Sequence, residues 1–460
     1  MDRKVKKFSK NGLLSSLLVL VILLTSFMPV WAEEMEFPDV SLWAIGELNE
    51  GERYGIYPIE WYYDSFREEI SQERLEELLD GTAKKIEALE LSKKADFEPI
   101  PYEATSTRGD VIKRLYNILA QYEFSVGDSP VDYMKERGIL IGTLNGLELD
   151  KPCTTEQAVI FATRLILDTY NQLQVGSKGL AWKVEHNGNI IYFLGSIHVG
   201  SSDIYPLSQR LIQAFNESDA LIVEANLLDQ LDGIDYFLRK AIYQDGTTLE
   251  DHISKETYEK LMKIFEMYQI PVEIYNYFKP WSIANDLIVI AMTDSENLQE
   301  GAQSADLGID MYFLSNAMLA QKPIIELEGL KYQADLFDGL SAETQEEYLN
   351  SIIDSILEPK VEETTYSANI LDEWLTQWKN GDIEGFTNSY RSSTDESEED
   401  EFSNMLFGQR DKDMTEKIVE FLESEQKGVY FVVVGAGHLT EDDTILDQLA
   451  EKGYKVEVLE

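Results

Sequence analysis

From residue 179 onward, short apolar runs alternate with longer amphipathic stretches. The runs Asn189-Ile190-Ile191-Tyr192-Phe193-Leu194 and Val429-Tyr430-Phe431-Val432-Val433-Val434 are continuous and rich in β-branched and aromatic residues. That pattern predicts strands buried on both faces. Residues 220–223, 323–327 and 455–459 read as further strands, and 207–218, 255–269, 281–292, 309–321, 341–357, 370–379 and 414–424 as helices. Alternating strands and helices predict an α/β domain over residues 179–460, a mixed sheet flanked by helices, near the upper size for one hydrophobic core. Before it, residues 37–173 show apolar helical stretches separated by glycine-containing turns, with a short linker at 172–178. The Ser, Thr and acid run at 392–400 reads as a mobile, solvated loop.

The amino terminus follows another pattern. Lys4, Lys6, Lys7 and Lys10 precede an apolar stretch over 13–30, and Val30-Trp31-Ala32 offers small residues at the usual cleavage positions. This predicts a secretory signal peptide over 1–32 and an exported mature chain starting near Glu33. An uncleaved membrane anchor is the competing reading, because the stretch approaches the length that spans a bilayer. No later apolar segment is long enough to cross one; residues 282–292 are short and carry Asn285 and Asp286.

Composition narrows the function classes. Of 460 residues, 44% are hydrophobic, enough for a packed core, while 85 acidic against 39 basic side chains give a formal charge of -46. Such a surface repels nucleic acid and anionic membranes, so neither is expected as a partner. The single cysteine, Cys153, excludes an intrachain disulfide and a cysteine-rich zinc site, and reads as a packing residue.

Chemistry is concentrated at strand ends. Each of the two long apolar runs closes on a Gly-x-x-His element, Gly195-Ser196-Ile197-His198 and Gly435-Ala436-Gly437-His438, which together hold two of the chain's four histidines. In open α/β sheets ligands collect outside the carboxyl ends of the strands. The glycines permit a sharp turn or a close backbone approach that a Cβ would block. Glu224 directly follows the strand at 220–223, Glu328 follows the strand at 323–327, and Asp310 opens a helix after Gly308-Ile309. Two imidazoles with one or two carboxylates form a competent divalent-metal set, and a position left to water makes such a set hydrolytic. For each carboxylate alone, a helix cap or salt bridge is the plainer reading. Arg410, in Phe407-Gly408-Gln409-Arg410-Asp411, could hold a substrate carboxylate or an oxyanion, or pair with the surplus acids. His186 and His252 lack glycine partners and strand-end placement and read as surface or structural residues. Ser196 and Ser201 lie near His198, but no Gly-x-Ser-x-Gly elbow is present.

In this order, Gly195-Ser196-Ile197-His198, Val223-Glu224-Ala225-Asn226, Gly308-Ile309-Asp310, Leu327-Glu328 with Gln333, Trp378 with Gly381-Asp382, Arg410, and Gly435-Ala436-Gly437-His438 resemble the TraB/GumN family, which includes the Tiki-type metalloproteases. The resemblance spans residues 179–460. It implies a compact α/β domain and a metal-dependent, peptidase-like site. His198 and His438 would be metal ligands, Glu224 a ligand or general base, and Arg410 a substrate or transition-state contact. The implied cofactor is a divalent ion, manganese, cobalt or zinc, and the implied substrate a peptide or protein. Asp411 departs from the asparagine that commonly follows the arginine in that family.

Residues 37–173 resemble S-layer homology repeats through Phe37-Pro38-Asp39-Val40, Trp43-Ala44, Gly55-Ile56, Thr107-Arg108-Gly109-Asp110 and Thr154-Thr155-Glu156-Gln157. That resemblance implies a cell-wall polymer as partner, with Arg108 the one surviving basic residue to meet it. Two functions therefore stand side by side. One is an exported metal-dependent peptidase associated with the wall; the other is a non-catalytic ligand-binding or wall-adhesion protein using the same fold.

Overall fold

The computed structural model describes residues 38–228, 232–293, 298–357, 364–393 and 401–459. Residues 1–32, expected as a signal peptide, and most of the run at 392–400, expected as a mobile loop, lie outside these residues. Among the described residues no helix is long and apolar enough to cross a membrane. The described chain divides into two units, one of residues 38–176 with Ser202–Gln209, the other of Ser177–Ser201 with residues 210–459.

The first unit is helical: α1 (Ile45–Arg53), α2 (Gln72–Glu87), α3 (Arg108–Ala120), α4 (Pro130–Glu136) and α5 (Thr155–Leu173). The hydroxyls of Ser71, Thr107, Ser129 and Thr154 each accept the backbone N–H three residues on, which satisfies a donor that the helix start would otherwise orphan. At Thr154 the reciprocal bond from Gln157 completes a capping box. Cys153 lies in the segment entering α5, where its N–H donates to Ser106 O at 2.7 Å and its O accepts from Ile70 N at 2.9 Å. Burial pushes its thiol up to about 12, so it packs and does not react. Arg108 is 4% exposed. Its Nε donates to Leu147 O at 3.0 Å, its Nη2 to Ile141 O at 3.1 Å, and its guanidinium lies over the Phe161 ring. Arg108 is thus buried rather than presented on the surface, and the group ties down the 141–147 loop.

The second unit is mixed α/β, a six-stranded sheet flanked by helices. Its strands are β1 (Leu180–His186), β2 (Asn189–Ser196), β3 (Ala220–Val223), β4 (Ile324–Glu326), β5 (Val429–Gly435) and β6 (Val456–Val458), in the order β4-β3-β5-β2-β1-β6. The first four in that order run parallel, and β1 is antiparallel to both β2 and β6. Strand β3 is buried along its whole length, as a parallel strand covered on both faces must be.

Alternation along β5 assigns the two faces. Phe431 packs on Phe313 of α9 (Ile309–Leu319) at 4.8 Å and on Phe215 of α6 (Gln209–Glu217) at 5.7 Å between ring centroids. Its neighbour Tyr430 points the other way, to Phe421 of α12 (Gln409–Glu423) at 4.8 Å. The same unit holds α7 (Pro280–Thr293), α8 (Leu298–Asp306), α10 (Ala342–Leu357) and α11 (Thr364–Asn380). The helix expected at 414–424 begins five residues earlier, which brings Arg410 and Asp411 into its first turn.

Candidate functional site

Parallel pairing sets Gly195 opposite Val434 and Ser196 opposite Gly435. The two Gly-x-x-His elements therefore leave adjacent strands side by side. A Cβ on Gly195 would stand 3.1 Å from Ala436 Cα and 3.2 Å from Ala436 Cβ, so glycine is what lets the two elbows touch. The contact is sealed by Ala436 N donating to Ser196 O at 2.9 Å. From behind, buried Trp378 of α11 donates its indole N–H to Gly195 O at 2.7 Å.

Glu224, one residue past β3, reaches across this edge. Its Oε1 accepts Gly435 N–H at 2.7 Å and its Oε2 accepts Arg410 Nη2 at 3.0 Å. Arg410 is 2% exposed and fully engaged. Its Nε and Nη2 form a fork on the two oxygens of Glu328, each at 2.7 Å, and Nη1 donates to Leu406 O at 3.0 Å. Gln333 Nε2 adds a bond to Glu328 Oε2 at 3.2 Å. Burial pushes the Glu328 carboxyl up, but Arg410 outweighs it and holds the group below its ordinary value. Burial likewise works against the Arg410 charge, and the paired acids, Glu328 foremost, hold its pKa above the usual arginine value. Of the two roles open to Arg410 in the sequence, the structure shows pairing with acids; its fork is turned to Glu224 and Glu328.

Both histidines meet a carboxylate at Nδ1. His198 Nδ1 lies 2.6 Å from Asp310 Oδ2, and His438 Nδ1 lies 2.8 Å from Asp411 Oδ1. Asp310 stands in the first turn of α9, whose start is fitted against the His198 loop. Ile309 N donates to Ile197 O at 3.1 Å, and a Cβ on Gly308 would fall 2.4 Å from His198 O. Burial pushes the Asp310 carboxyl up, yet its hydrogen-bonded contact with His198 holds it below its usual value. His438 is wholly buried, its Nε2 has no hydrogen-bond partner among the described residues, and it lies 3.8 Å from Glu224 Oε2.

The other two histidines stand apart. His252 stacks on Tyr243 with ring centroids 4.0 Å apart and shares a 2.6 Å bond with Thr247 Oγ1. His186 does close a strand, β1, contrary to the sequence reading. That strand is antiparallel, and its last residue pairs with Asn189 at the start of β2, so His186 sits on the edge away from the site.

A divalent cation can be tested against this donor set. An orphaned, buried imidazole nitrogen suits a cation, and the buried carboxylates of Glu224 and Glu328 share one guanidinium while those of Asp310 and Asp411 meet the two imidazoles, an excess of negative charge that a cation would offset. The donor chemistry fits. Among the described residues, however, no group of three or more His, Cys, Asp or Glu side chains is gathered closely enough to hold an ion. His198, His438 and Glu224 are brought to one sheet edge, and both Glu224 oxygens are engaged by Gly435 and Arg410. Sequence reasoning missed Asp411 as the partner of His438; its signal was the place three residues after Gly408, where an acid caps a helix start.

Residues 180–458 match the sequence profile of the TraB/PrgY/gumN family. The chain belongs to this family. It is similar to the Uncharacterized protein YbaP of Escherichia coli (strain K12), 28% identical over 248 residues covering 54% of this chain and 83% of the relative. It is also similar to the Metalloprotease TIKI homolog of Nematostella vectensis, 22% identical over 307 residues covering 58% of this chain and 64% of that one. No solved structure matches.

Proposed function

We propose that the sheet unit is a divalent-metal-dependent hydrolase acting on peptides or proteins, with His198, His438 and Glu224 as the residues that would hold the ion. The observation that carries this reading is the buried His438 Nε2, without a hydrogen-bond partner among the described residues, 3.8 Å from a strand-end carboxylate oxygen. Family membership and the 22% likeness to a protein named a metalloprotease support the reaction class. A bound divalent cation supplies Lewis-acid polarisation of a scissile carbonyl. The chain's own residues do the rest. In this reading Glu224 Oε2, at the same edge as His438 Nε2 and bonded to Arg410, accepts the proton. Arg410, with Glu328 and Gln333 behind it, fixes the direction of that carboxylate. The excess of carboxylates raises the local cation concentration around the site. Export through the amino-terminal segment and wall association through residues 37–173 are part of the same proposal.

The test is turnover by the full-length mature chain, stripped with chelator and reloaded with manganese, cobalt or zinc, against a peptide library. Cleavage that depends on metal and disappears in both His198→Ala and His438→Ala is the expected result. Absence of cleavage with every metal, or cleavage that survives either substitution, overturns it.

A further inference from the structure

Two carboxylates outside the proposed donor set approach the two imidazoles from opposite faces of the sheet. Asp310 is the second residue of α9, which covers the Phe431 face, and Asp411 is the third residue of α12, which covers the Tyr430 face. Both helices start on glycine, Gly308 and Gly408. Both carboxylates sit in a first turn, where the helix dipole favours an ionised acid. An ionised carboxylate only accepts hydrogen bonds. At 2.6 and 2.8 Å from Asp310 and Asp411, the Nδ1 atoms of His198 and His438 are therefore the protonated nitrogens, and Nε2 is the electron-pair donor of each ring.

We propose that Asp310 and Asp411 are the positioning residues of this site, each fixing the tautomer and ring direction of one histidine so that both Nε2 atoms are set as donors before any ligand arrives. The inference rests on the reading of His198 and His438 as a donor pair.

Asp411 carries the stronger chain-specific argument. Its Oδ1 accepts from His438 Nδ1 while its Oδ2 accepts Gly408 N–H at 3.0 Å, and the side chain is 1% exposed. Two N–H groups thus point at one buried residue, and only a carboxylate offers each of them an oxygen. The asparagine common at this place in the resembling family would turn an NH2 toward one of those donors. In this chain the carboxylate pins His438 and closes the start of α12 together.

The tautomers can be read in the metal-free, full-length mature chain by two-bond proton–nitrogen correlation on 15N-histidine protein near neutral pH. With four histidines in the sequence the spectrum is simple, and His186 and His252 act as internal references. The expected result is His198 and His438 both protonated at Nδ1, with Asp310→Leu altering only His198 and Asp411→Leu only His438. Asp411→Asn, the milder change should the leucine variant not fold, is expected to leave His438 partly in the Nδ1–H form. Wild-type rings protonated at Nε2, or a His438 signal indifferent to every Asp411 variant that folds, would overturn the assignment. Cobalt titration gives a second readout, with each leucine variant weakened about 10–100-fold and His252→Ala unchanged; undiminished affinity in the leucine variants counts against the assignment. A wild-type chain that takes up no cobalt removes the metal reading alone, since the tautomers decide the positioning role without metal.

Discussion

The backbone N–H of Gly435 donates to Glu224 Oε1 at 2.7 Å, so the end of one parallel strand holds the carboxylate that follows another. The opposite oxygen of Glu224 faces Arg410. Glu224→Gln keeps one acceptor and sets an NH2 against either Gly435 N–H or the guanidinium, an unmade buried bond that costs about 1–3 kcal/mol. A lowered urea midpoint with retained circular dichroism is expected, together with loss of at least about 100-fold in any metal-dependent turnover if Glu224 handles the proton. A variant with full turnover would remove Glu224 from the chemistry and leave it a structural link.

Gly195→Ala and Gly308→Ala test the close approaches on either side of His198. The first adds a methyl 3.1 Å from Ala436 Cα, and the second one 2.4 Å from His198 O. Both meet backbone, which cannot swing aside as a side-chain tip can. Gly308→Ala is the more damaging of the two, and losses of about 1–3 kcal/mol are expected where the fold survives. Thermal melts rank them, and an equal, negligible effect of both would contradict the described packing.

Much of this site is legible from the strand-end pattern. Continuous β-branched runs identify β2, β3 and β5, and a glycine three residues before His198 and before His438 marks where β2 and β5 stop. The pairing of Ser196 with Gly435 follows from sheet order, which a strand pattern does not contain. Strand β1 escapes because Leu180–His186 mixes Trp182, Lys183 and Glu185 into a run with no clear apolar period. Asp411 escapes because its two partners, Gly408 N–H and His438, are local and remote respectively, and only the fold brings the remote one near. Arg410 is ambiguous in the sequence for the same reason, since whether a guanidinium faces substrate or acids depends on what folds over it.

Arg108→Ala separates the structural role of this residue from wall binding. Removing it takes the donor from Ile141 O and Leu147 O, on a loop that water reaches, and leaves a gap beside Phe161, a loss of about 1–2 kcal/mol. The melting transition of residues 38–176 within the full chain is expected to fall. At temperatures where the variant stays folded, pelleting with cell-wall sacculi is expected to match the wild type. Weaker pelleting by a fully folded variant would return the guanidinium to a binding role.

Asp286 gives the stability of the sheet unit an unusual pH dependence. Its carboxylate lies in α7 at 3% exposure, with Oδ2 accepting Tyr275 OH at 3.1 Å and Oδ1 without a partner among the described residues. On the same helix, Asn285 Oδ1 accepts Tyr348 OH of α10 at 2.6 Å, so the groups placed around the acid are phenols and an amide. Burial pushes the Asp286 carboxyl up to about 7. An unfolded aspartate titrates near ~3.9, so between about pH 4 and 7 the folded chain holds a proton that the unfolded chain has released. Stability from this group is therefore full below about pH 4, falls as the pH rises, and levels off above 7, a loss of up to roughly 4 kcal/mol. Asp310 and Glu328, both held below their usual values, act with the opposite sign, and their contribution is lost only as the pH falls below the ordinary carboxylate range. Urea midpoints measured from about pH 2 to 8 should accordingly decline between about pH 4 and 7 in the wild type, and Asp286→Asn should flatten that decline while leaving in place the acid limb below about pH 4. A wild-type profile that rises between pH 5 and 7, or an Asn variant that tracks it, would show that Asp286 is ionised in the fold.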